Sequence, residues 1–206
     1  MLHILQPGDA PKSERVLQAM FAARKSVFVD LLKWKVPVVA GTYEIDRFDD
    51  AHATYLVLAD ADGNHLGSAR LLRTDRPHIL GSFYPELCAE GVPCGPNVRE
   101  VTRFCLDRRL RAADRRAVRD TLVCALTDHA LEHGIDTYSA IAQMGWFQQI
   151  LAFGWRCRPL GLPQHRDGAL LAALRIDIDA QTPALLRAAG LVSSAALAGG
   201  DLRAAA

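Results

Sequence analysis

The residues best suited to chemistry lie in segment 99–104, where a glutamate and an arginine stand three positions apart. Residues 98–106 are rich in β-forming side chains, so they are predicted to form a strand. Charged side chains in a buried strand are costly unless they are paired or take part in binding or catalysis. Alternation along a strand sends Glu100 and Arg103 to opposite faces, and a β-bulge between them would direct both to one site. The alternative is one solvent-facing charge and one charge at the rim.

Composition limits the classes of protein that this chain can belong to. It has 206 residues, 50% hydrophobic and 23% charged, with a formal net charge of +1. These values predict a single domain over 1–206 and favour neither a nucleic-acid nor a membrane partner. The Ala, Gly and Ser residues near the end of the chain predict a partly flexible tail at 179–206. Five cysteines without regular spacing predict reduced thiols. No apolar run approaches the ~18 residues of a membrane span and no signal-peptide pattern is present, so we expect a cytoplasmic protein.

A second charged candidate lies on the first predicted helix, residues 13–32. Its apolar residues recur at helical spacing, and Arg24 falls on the same face, four positions before Phe28. An unpaired buried guanidinium costs several kcal/mol. We therefore predict that Arg24 pairs with Asp46, Asp49 or Glu100. The alternative is that its side chain extends past the edge of the helix to solvent.

The remaining sequence alternates between strand and helix patterns. Further strands are predicted at 2–5, 54–59, 66–73, 137–142, 155–160 and 170–178, and further helices at 114–133, 146–153 and 183–189. The strand–helix–strand unit after residue 98 requires parallel neighbours, so the predicted fold class is α/β with a mixed sheet flanked by helices. The long loop 75–97 is expected to have a function, with Phe83 as its anchor.

Three sequence patterns bear on the binding of metals, anions and nucleotides. Residues 129–133 match the H-x-x-E-H zinc pattern on a predicted helix, but no third ligand is obvious, so a solvated helix end is the preferred interpretation and no metal is predicted. Arginines between 108 and 119 surround the start of a helix, where anions bind, so an acidic or phosphorylated partner competes with a solvated face. The sequence contains neither a G-x-G-x-x-G nor a Walker motif, which excludes Rossmann and P-loop nucleotide sites.

Taken together and in order, the charged and aromatic residues resemble the acyl-homoserine-lactone synthase family, the autoinducer synthases of bacterial quorum sensing. The resemblance covers about residues 2–178 and rests on four signatures: Arg24-x-x-x-Phe28-x-x-x-x-x-Trp34, Glu44-x-Asp46-x-x-Asp49, Arg70-Leu71-Leu72-x-Thr74 and Glu100-x-Thr102-Arg103-Phe104. It implies a fold like that of the GNAT acetyltransferases, with a mixed twisted sheet. In that superfamily the strand matching 98–106 often carries a β-bulge.

The resemblance also implies a reaction. An acyl group passes from an acyl carrier protein to the amine of S-adenosylmethionine, and lactonisation then yields N-acyl-L-homoserine lactone and methylthioadenosine. S-adenosylmethionine is a substrate, so no cofactor is expected. A carrier is favoured over coenzyme A because Arg111 replaces a glycine of the GNAT pyrophosphate loop. The alternatives are a coenzyme A-dependent N-acyltransferase of another amine and a non-catalytic binding module on the same fold.

The implied roles are assigned residue by residue. Glu100 is the predicted base, directly or through a water, and Arg103 is the second catalytic residue, with a backbone N–H near it as oxyanion donor. Either Arg103 or Arg24 would hold the carboxylate of the substrate. The predicted substrate-binding residues are Arg24, Phe28, Trp34, Asp46, Asp49, Arg70, Phe83 and Phe104, of which Trp34, Asp46 and Asp49 would face the sulfonium. The predicted acyl-pocket residues are Ser139, Ala140, Ile141 and Met144. The predicted carrier-binding residues are Arg108, Arg111 and Arg115. Ser139 and Ala140 weakly favour chains without a 3-oxo group.

Overall fold

The structure is a computed structural model that describes residues 1–8, 11–166, 168–194 and 197. A π-helical segment spans Lys25–Leu31, and a 3-10 turn spans Pro85–Leu87. The elements in chain order are β1 (Leu2–Leu5), α1 (Pro11–Arg24), β2 (Val38–Val39), β3 (Tyr43–Glu44), β4 (Thr54–Ala59), β5 (His65–Arg73), α2 (Ile79–Phe83), β6 (Val98–Leu106), α3 (Ala112–Glu132), β7 (Thr137–Gln143), α4 (Met144–Leu151), β8 (Arg156–Pro159), β9 (Gln164–Arg166), β10 (Ala169–Asp177) and α5 (Thr182–Ala188).

Eight of these strands form one mixed sheet. Its order is β1-β4-β5-β6-β7-β10-β8, with β9 pairing to β10, while β2 and β3 form a separate two-stranded hairpin. Strands β6 and β7 are parallel, as the crossover through α3 requires, whereas β7 and β10 are antiparallel. The predicted α/β class with a mixed sheet flanked by helices is confirmed.

The chain divides into two compact units. Unit 1 contains Met1–Arg70, Arg103–Ala125 and the described residues from Val192 onward, and unit 2 contains Leu71–Thr102 and Leu126–Leu191. The single domain with a partly flexible tail stays a prediction. Residues 195, 196 and 198–206 of that tail lie outside the described residues.

In unit 1, α3 packs closely on the sheet because β5 has a glycine at the contact. A Cβ at Gly67 would lie 2.6 Å from Val118 Cγ1 and 3.1 Å from Leu106 Cδ2. Any larger residue would therefore push the helix away from the strand. The close contact fixes the first half of α3 against β5 and the end of β6.

In unit 2, the long loop is anchored by leucines rather than by the predicted phenylalanine. Leu80 and Leu87 are fully buried with Cys88 and Ala173, whereas Phe83 is 48% exposed. The anchor prediction is wrong because α2 ends at Phe83 and the next buried position is provided by the 3-10 turn at Leu87. Ala89 N–H donates to Leu160 O at 2.9 Å, which ties the loop to the chain between β8 and β9.

The H-x-x-E-H pattern lies at the end of α3, but its first histidine is not solvated. His129 is 7% exposed, and its ring centroid lies 4.1 Å from that of His133. Burial, and then His133 and Arg99, lower the pKa of His129 to about 4. The prediction of a solvated helix end is therefore wrong for His129, because this turn of the helix packs inward.

A second buried histidine makes stability depend on pH. His65 in β5 is 4% exposed, with Nε2 2.8 Å from Ser68 Oγ, and burial lowers its pKa to about 4. The unfolded chain takes up this proton near pH 6.5, so stability falls as the pH drops from 6.5 toward 4, by about 2 kcal/mol between pH 7 and pH 5. Urea unfolding at both pH values should show a loss about 2 kcal/mol smaller in His65→Gln. An equal loss in both proteins would contradict this assignment.

Candidate active site

Unit 1 gathers six charged residues, which we call the arginine–carboxylate cluster. The end of α1, strand β3, the turn after it, strand β5 and strand β6 each contribute at least one residue. Its members are Arg24, Glu44, Asp46, Asp49, Arg70 and Arg103. The charged residues of the first three signatures all meet in this cluster, although the signatures are distant from one another in sequence.

Arg24 is at the centre of this cluster and is almost completely buried. Its Nη1 and Nη2 donate to the two carboxylate oxygens of Asp49 at 2.8 and 2.9 Å, and its Nε donates to Glu44 Oε2 at 2.6 Å. The predicted buried ion pair of Arg24 with Asp49 is confirmed. The partnership with Glu44 was not predicted, because the two-residue strand β3 that buries Glu44 is too short to show a periodic pattern.

Two more guanidinium groups complete the cluster. Arg70 donates to Asp46 Oδ1 and Oδ2 at 2.8 and 3.0 Å. Arg103 donates from Nη2 to Glu44 Oε1 at 3.0 Å and to Asp46 Oδ2 at 2.7 Å. Each carboxylate therefore forms ion pairs with two guanidinium groups. The cluster has three positive and three negative formal charges, so its formal net charge is zero.

The neighbouring arginines lower the pKa values of two carboxylates in the cluster. Burial would raise the pKa of Asp49, but hydrogen bonds from Arg24 and the charge of Arg70 hold it well below its ordinary value. The pKa of Asp46 is likewise lowered against the effect of burial, mainly by Arg70. Tyr55 O–H donates to Asp49 Oδ1 at 2.9 Å, and burial and this carboxylate raise the pKa of the phenol. Asp46 and Asp49 are thus ionised at neutral pH.

Two aromatic rings lie beside Arg103. Phe28 and Trp34 stack with ring centroids 4.7 Å apart, and the guanidinium carbon of Arg103 lies 5.7 Å from the Phe28 centroid and 6.0 Å from that of Trp34. Phe28 belongs to the π-helical segment, a wide turn that is frequent at functional sites. The rings provide a surface that attracts cations.

Only part of the cluster can meet a ligand. The side chains of Arg103 and Asp46 are each 10% exposed, whereas those of Arg24, Glu44, Asp49 and Arg70 are buried. Asp49 is therefore a counter-charge to arginines in this structure. The contact of Asp46 and Asp49 with a sulfonium stays a prediction.

Unit 2 contains the predicted base. Glu100 is fully buried, and Leu80 N–H donates to its Oε1 at 3.0 Å. Glu100 is paired with Ser139 in the parallel register of β6 and β7, so the two side chains share a face of the sheet. Ser139 is also fully buried, and its Oγ has no hydrogen-bond partner among the described residues.

The strand that carries Glu100 and Arg103 is irregular at the arginine. Arg103 has φ 51°, in the left-handed region that non-glycine residues rarely adopt. Burial passes from Glu100 and Thr102 to Cys105, a step of three rather than two. Both features are typical of a β-bulge. They support the predicted irregularity and place it at Arg103 itself.

The other predicted site residues are distributed over both units. In unit 2, Ala140 is buried, Ile141 and Met144 are half-buried, and Phe83 is exposed. In unit 1, Phe104 is half-buried, and Arg108, Arg111 and Arg115 are exposed around the N-terminus of α3. Their roles toward an acyl chain or a carrier stay predictions.

The described residues form neither a membrane span nor a metal cluster. No helix among the described residues is long and apolar enough to cross a bilayer. The same residues contain no group of three or more side chains arranged to hold a metal ion.

Comparison with known proteins assigns the family. The model of the autoinducer synthase family matches residues 10–185. The chain therefore belongs to the autoinducer synthase family and is an acyltransferase of the acyl-homoserine-lactone synthase type. An isovaleryl-homoserine lactone synthase of Bradyrhizobium diazoefficiens is 30% identical over 183 residues, 88% of this chain and 82% of that protein. An acyl-homoserine-lactone synthase of Rhizobium etli is 33% identical over 191 residues, 91% and 89% of the two chains.

Solved structures agree with this assignment. A CoA-dependent acyl-homoserine lactone synthase with SAM and isopentyl-CoA superimposes with a TM-score of 0.84 at 29% identity, covering 94% of this chain and 90% of that one. An N-acetyltransferase from Lactobacillus plantarum is 18% identical with a TM-score of 0.54, covering 86% and 99% of the two chains, and shows the fold alone. The expected GNAT-like fold is confirmed.

Proposed function

We propose that this protein joins an acyl group from a thioester to the amine of S-adenosylmethionine and closes the product to an N-acyl-L-homoserine lactone. The observation that carries the proposal is a fully buried carboxylate, Glu100, on the same strand as the partly accessible Arg103. Three peptide units hold their α-carbons within about 11 Å of each other. Family membership and the SAM-bound relative support the choice of substrate.

Glu100 is the proposed general base of the acyl transfer. An α-amine with a pKa near ~8 is mostly protonated at pH 7 and must lose a proton before it attacks a carbonyl. Glu100 takes that proton, directly or through a water, while the amine nitrogen bonds to the thioester carbon and the C–S bond breaks. The sulfur leaves as a thiol after protonation. The bond from Leu80 N–H fixes the orientation of the carboxylate for this role.

Lactonisation depends on positioning. A carboxylate oxygen of the acylated intermediate bonds to the γ-carbon, and the carbon–sulfonium bond breaks, which releases neutral methylthioadenosine. Arg103 is the proposed cation that orients the substrate carboxylate. Phe28 and Trp34 offer the sulfonium an aromatic surface until it leaves. The acyl donor and the sulfonium leaving group are both parts of the two substrates, so we propose no cofactor.

The proposed donor is an acyl carrier protein. Arg108, Arg111 and Arg115 are exposed around the first turn of α3, which suits an acidic partner. Acyl-coenzyme A is the second candidate, because two similar solved structures are of CoA-dependent synthases. Thiol release measured with each donor in the presence of S-adenosylmethionine distinguishes them, since the preferred donor should have the higher kcat/KM.

Reversing two charges tests the docking site. Arg111→Glu with Arg115→Glu should raise the KM for the acyl carrier about tenfold, leave the KM for S-adenosylmethionine nearly unchanged, and weaken the salt dependence. The control Arg158→Glu with Arg187→Glu changes the net charge equally at exposed positions. Equal effects of the two pairs, or none, would mean that the carrier docks elsewhere.

A further inference from the structure

A buried tyrosine of unit 1 contacts the arginine–carboxylate cluster without being one of its six charged residues. The phenol of Tyr55, in strand β4, is fully buried and donates to Asp49 Oδ1 at 2.9 Å. We propose that Tyr55 is a positioning residue, whose hydroxyl holds the turn with Asp46 and Asp49 in the place where Arg103 can bind the substrate carboxylate. This inference rests on the proposed function, which assigns that carboxylate to Arg103.

The fold fixes the position of the Tyr55 ring. Tyr55 pairs with Leu5 in the antiparallel register of β4 and β1, so its backbone is held in the sheet. Its ring packs edge-to-face against Phe21 of α1, with ring centroids 5.8 Å apart and planes at 82°. A tyrosine side chain has only two torsions, so the place of the hydroxyl follows from the place of the strand. Tyr55 is therefore a rigid hydrogen-bond donor.

The carboxylate oxygen that accepts from Tyr55 also contacts two arginines. Arg24 Nη1 lies 2.8 Å from Asp49 Oδ1, and Arg70 Nη1 lies 2.7 Å from the same oxygen. Arginine side chains are long and flexible, so both guanidinium groups can follow the carboxylate if it moves. The hydroxyl of a rigid ring cannot follow it. The hydrogen bond from Tyr55 therefore sets where Asp49 Oδ1 lies relative to β4.

The position of Asp49 determines that of Asp46. Asp46 N–H donates to Asp49 Oδ2 at 2.8 Å, in the turn between β3 and β4. The carboxylate of Asp46 accepts from Arg103 Nη2 at 2.7 Å and from Arg70 Nη1 at 2.8 Å. The side chains of Asp46 and Arg103 are each 10% exposed, so a ligand can reach them. A shift of the turn would therefore displace the guanidinium group that orients the substrate carboxylate.

Removing the hydroxyl alone leaves every ion pair of the cluster in place. Burial and the Asp49 carboxylate raise the pKa of Tyr55, so the phenol is neutral and Tyr55→Phe changes no charge. The variant also keeps the aromatic ring that packs against Phe21. What it loses is the hydrogen bond that ties Asp49 to β4. We therefore expect a folded protein in which Arg103 binds a carboxylate less well.

Binding of two ligands to the full chain tests the inference by calorimetry. S-adenosylmethionine has the carboxylate that Arg103 is proposed to bind, and decarboxylated S-adenosylmethionine lacks it. Tyr55→Phe should weaken the binding of S-adenosylmethionine about tenfold and leave the binding of the decarboxylated ligand within about twofold. A merely structural role of Tyr55 would weaken the binding of both ligands by the same factor.

Tyr138→Phe is the matched control, because Tyr138 is also fully buried and its hydroxyl donates to the carbonyl oxygen of Leu126 at 2.9 Å. This control should bind both ligands as the native chain does. Equal weakening of both ligands in Tyr55→Phe, or no weakening, would overturn the inference and leave the proposed function intact. A native chain that bound both ligands equally would contradict the proposed role of Arg103 and overturn the inference with it.

Discussion

Replacing Glu100 with glutamine is expected to lower kcat by about 10²–10⁴-fold while the protein remains folded. Glutamine keeps the shape of the side chain and a carbonyl oxygen that can still accept the hydrogen bond from Leu80 N–H. It cannot accept the proton of the substrate amine. Steady-state kinetics with saturating substrates measure the change, and the KM for S-adenosylmethionine should stay within a few-fold of its original value.

The pH dependence separates a base from a structural carboxylate. Above pH ~8 the substrate amine loses its proton in solution, so the activity of Glu100→Gln should recover in part. A variant that had lost only an ion pair would not recover. Glu90→Gln, an exposed carboxylate of the same unit, is the matched control and should retain full turnover. A folded Glu100→Gln protein with near-normal kcat at pH 7 would rule out the base role.

The second large effect is expected at Arg24. Its replacement by alanine leaves Glu44 and Asp49 buried with one guanidinium fewer, and removing one partner of a buried ion pair typically costs ~3–5 kcal/mol. For a chain of this size the Tm should fall by about 6–20 °C. Urea unfolding monitored by circular dichroism gives the free-energy difference directly.

Arg116→Ala is the control for Arg24→Ala, because Arg116 is an exposed arginine of the same unit. A surface substitution of this kind should change stability by no more than about 0.5 kcal/mol. If Arg24→Ala destabilised the protein no more than Arg116→Ala, the buried ion pairs of Arg24 would not stabilise the fold. A soluble but inactive Arg24→Ala protein would point instead to a role in substrate binding.

The structure can be predicted from the sequence where side-chain periodicity is pronounced or where an unpaired buried charge would be costly. Strand β6 has the predicted bounds, 98–106, because nine residues of β-forming type leave few alternatives. The buried pairing of Arg24 followed from its place on an apolar helix face, since a guanidinium there needs a carboxylate. In both cases one physical rule decided the outcome.

Predictions from sequence patterns failed where tertiary packing determines which residues are buried. Strands β2 and β3 have two residues each, which is too few for a period, so Glu44 was not predicted as a partner of Arg24. Phe83 was the expected anchor of the long loop, but Leu80 and Leu87 occupy the buried positions. His129 was expected at a solvated helix end, yet this turn of the helix packs inward.

The proposed synthase activity is tested most directly by mass spectrometry of one reaction. The purified protein is incubated with S-adenosylmethionine and an acyl thioester, and both the acylated product and the nucleoside product are quantified. We expect N-acyl-L-homoserine lactone and methylthioadenosine in equal amounts, with neither formed when S-adenosylmethionine is omitted. Acylation of another amine without methylthioadenosine, or binding without thiol release, would contradict the account.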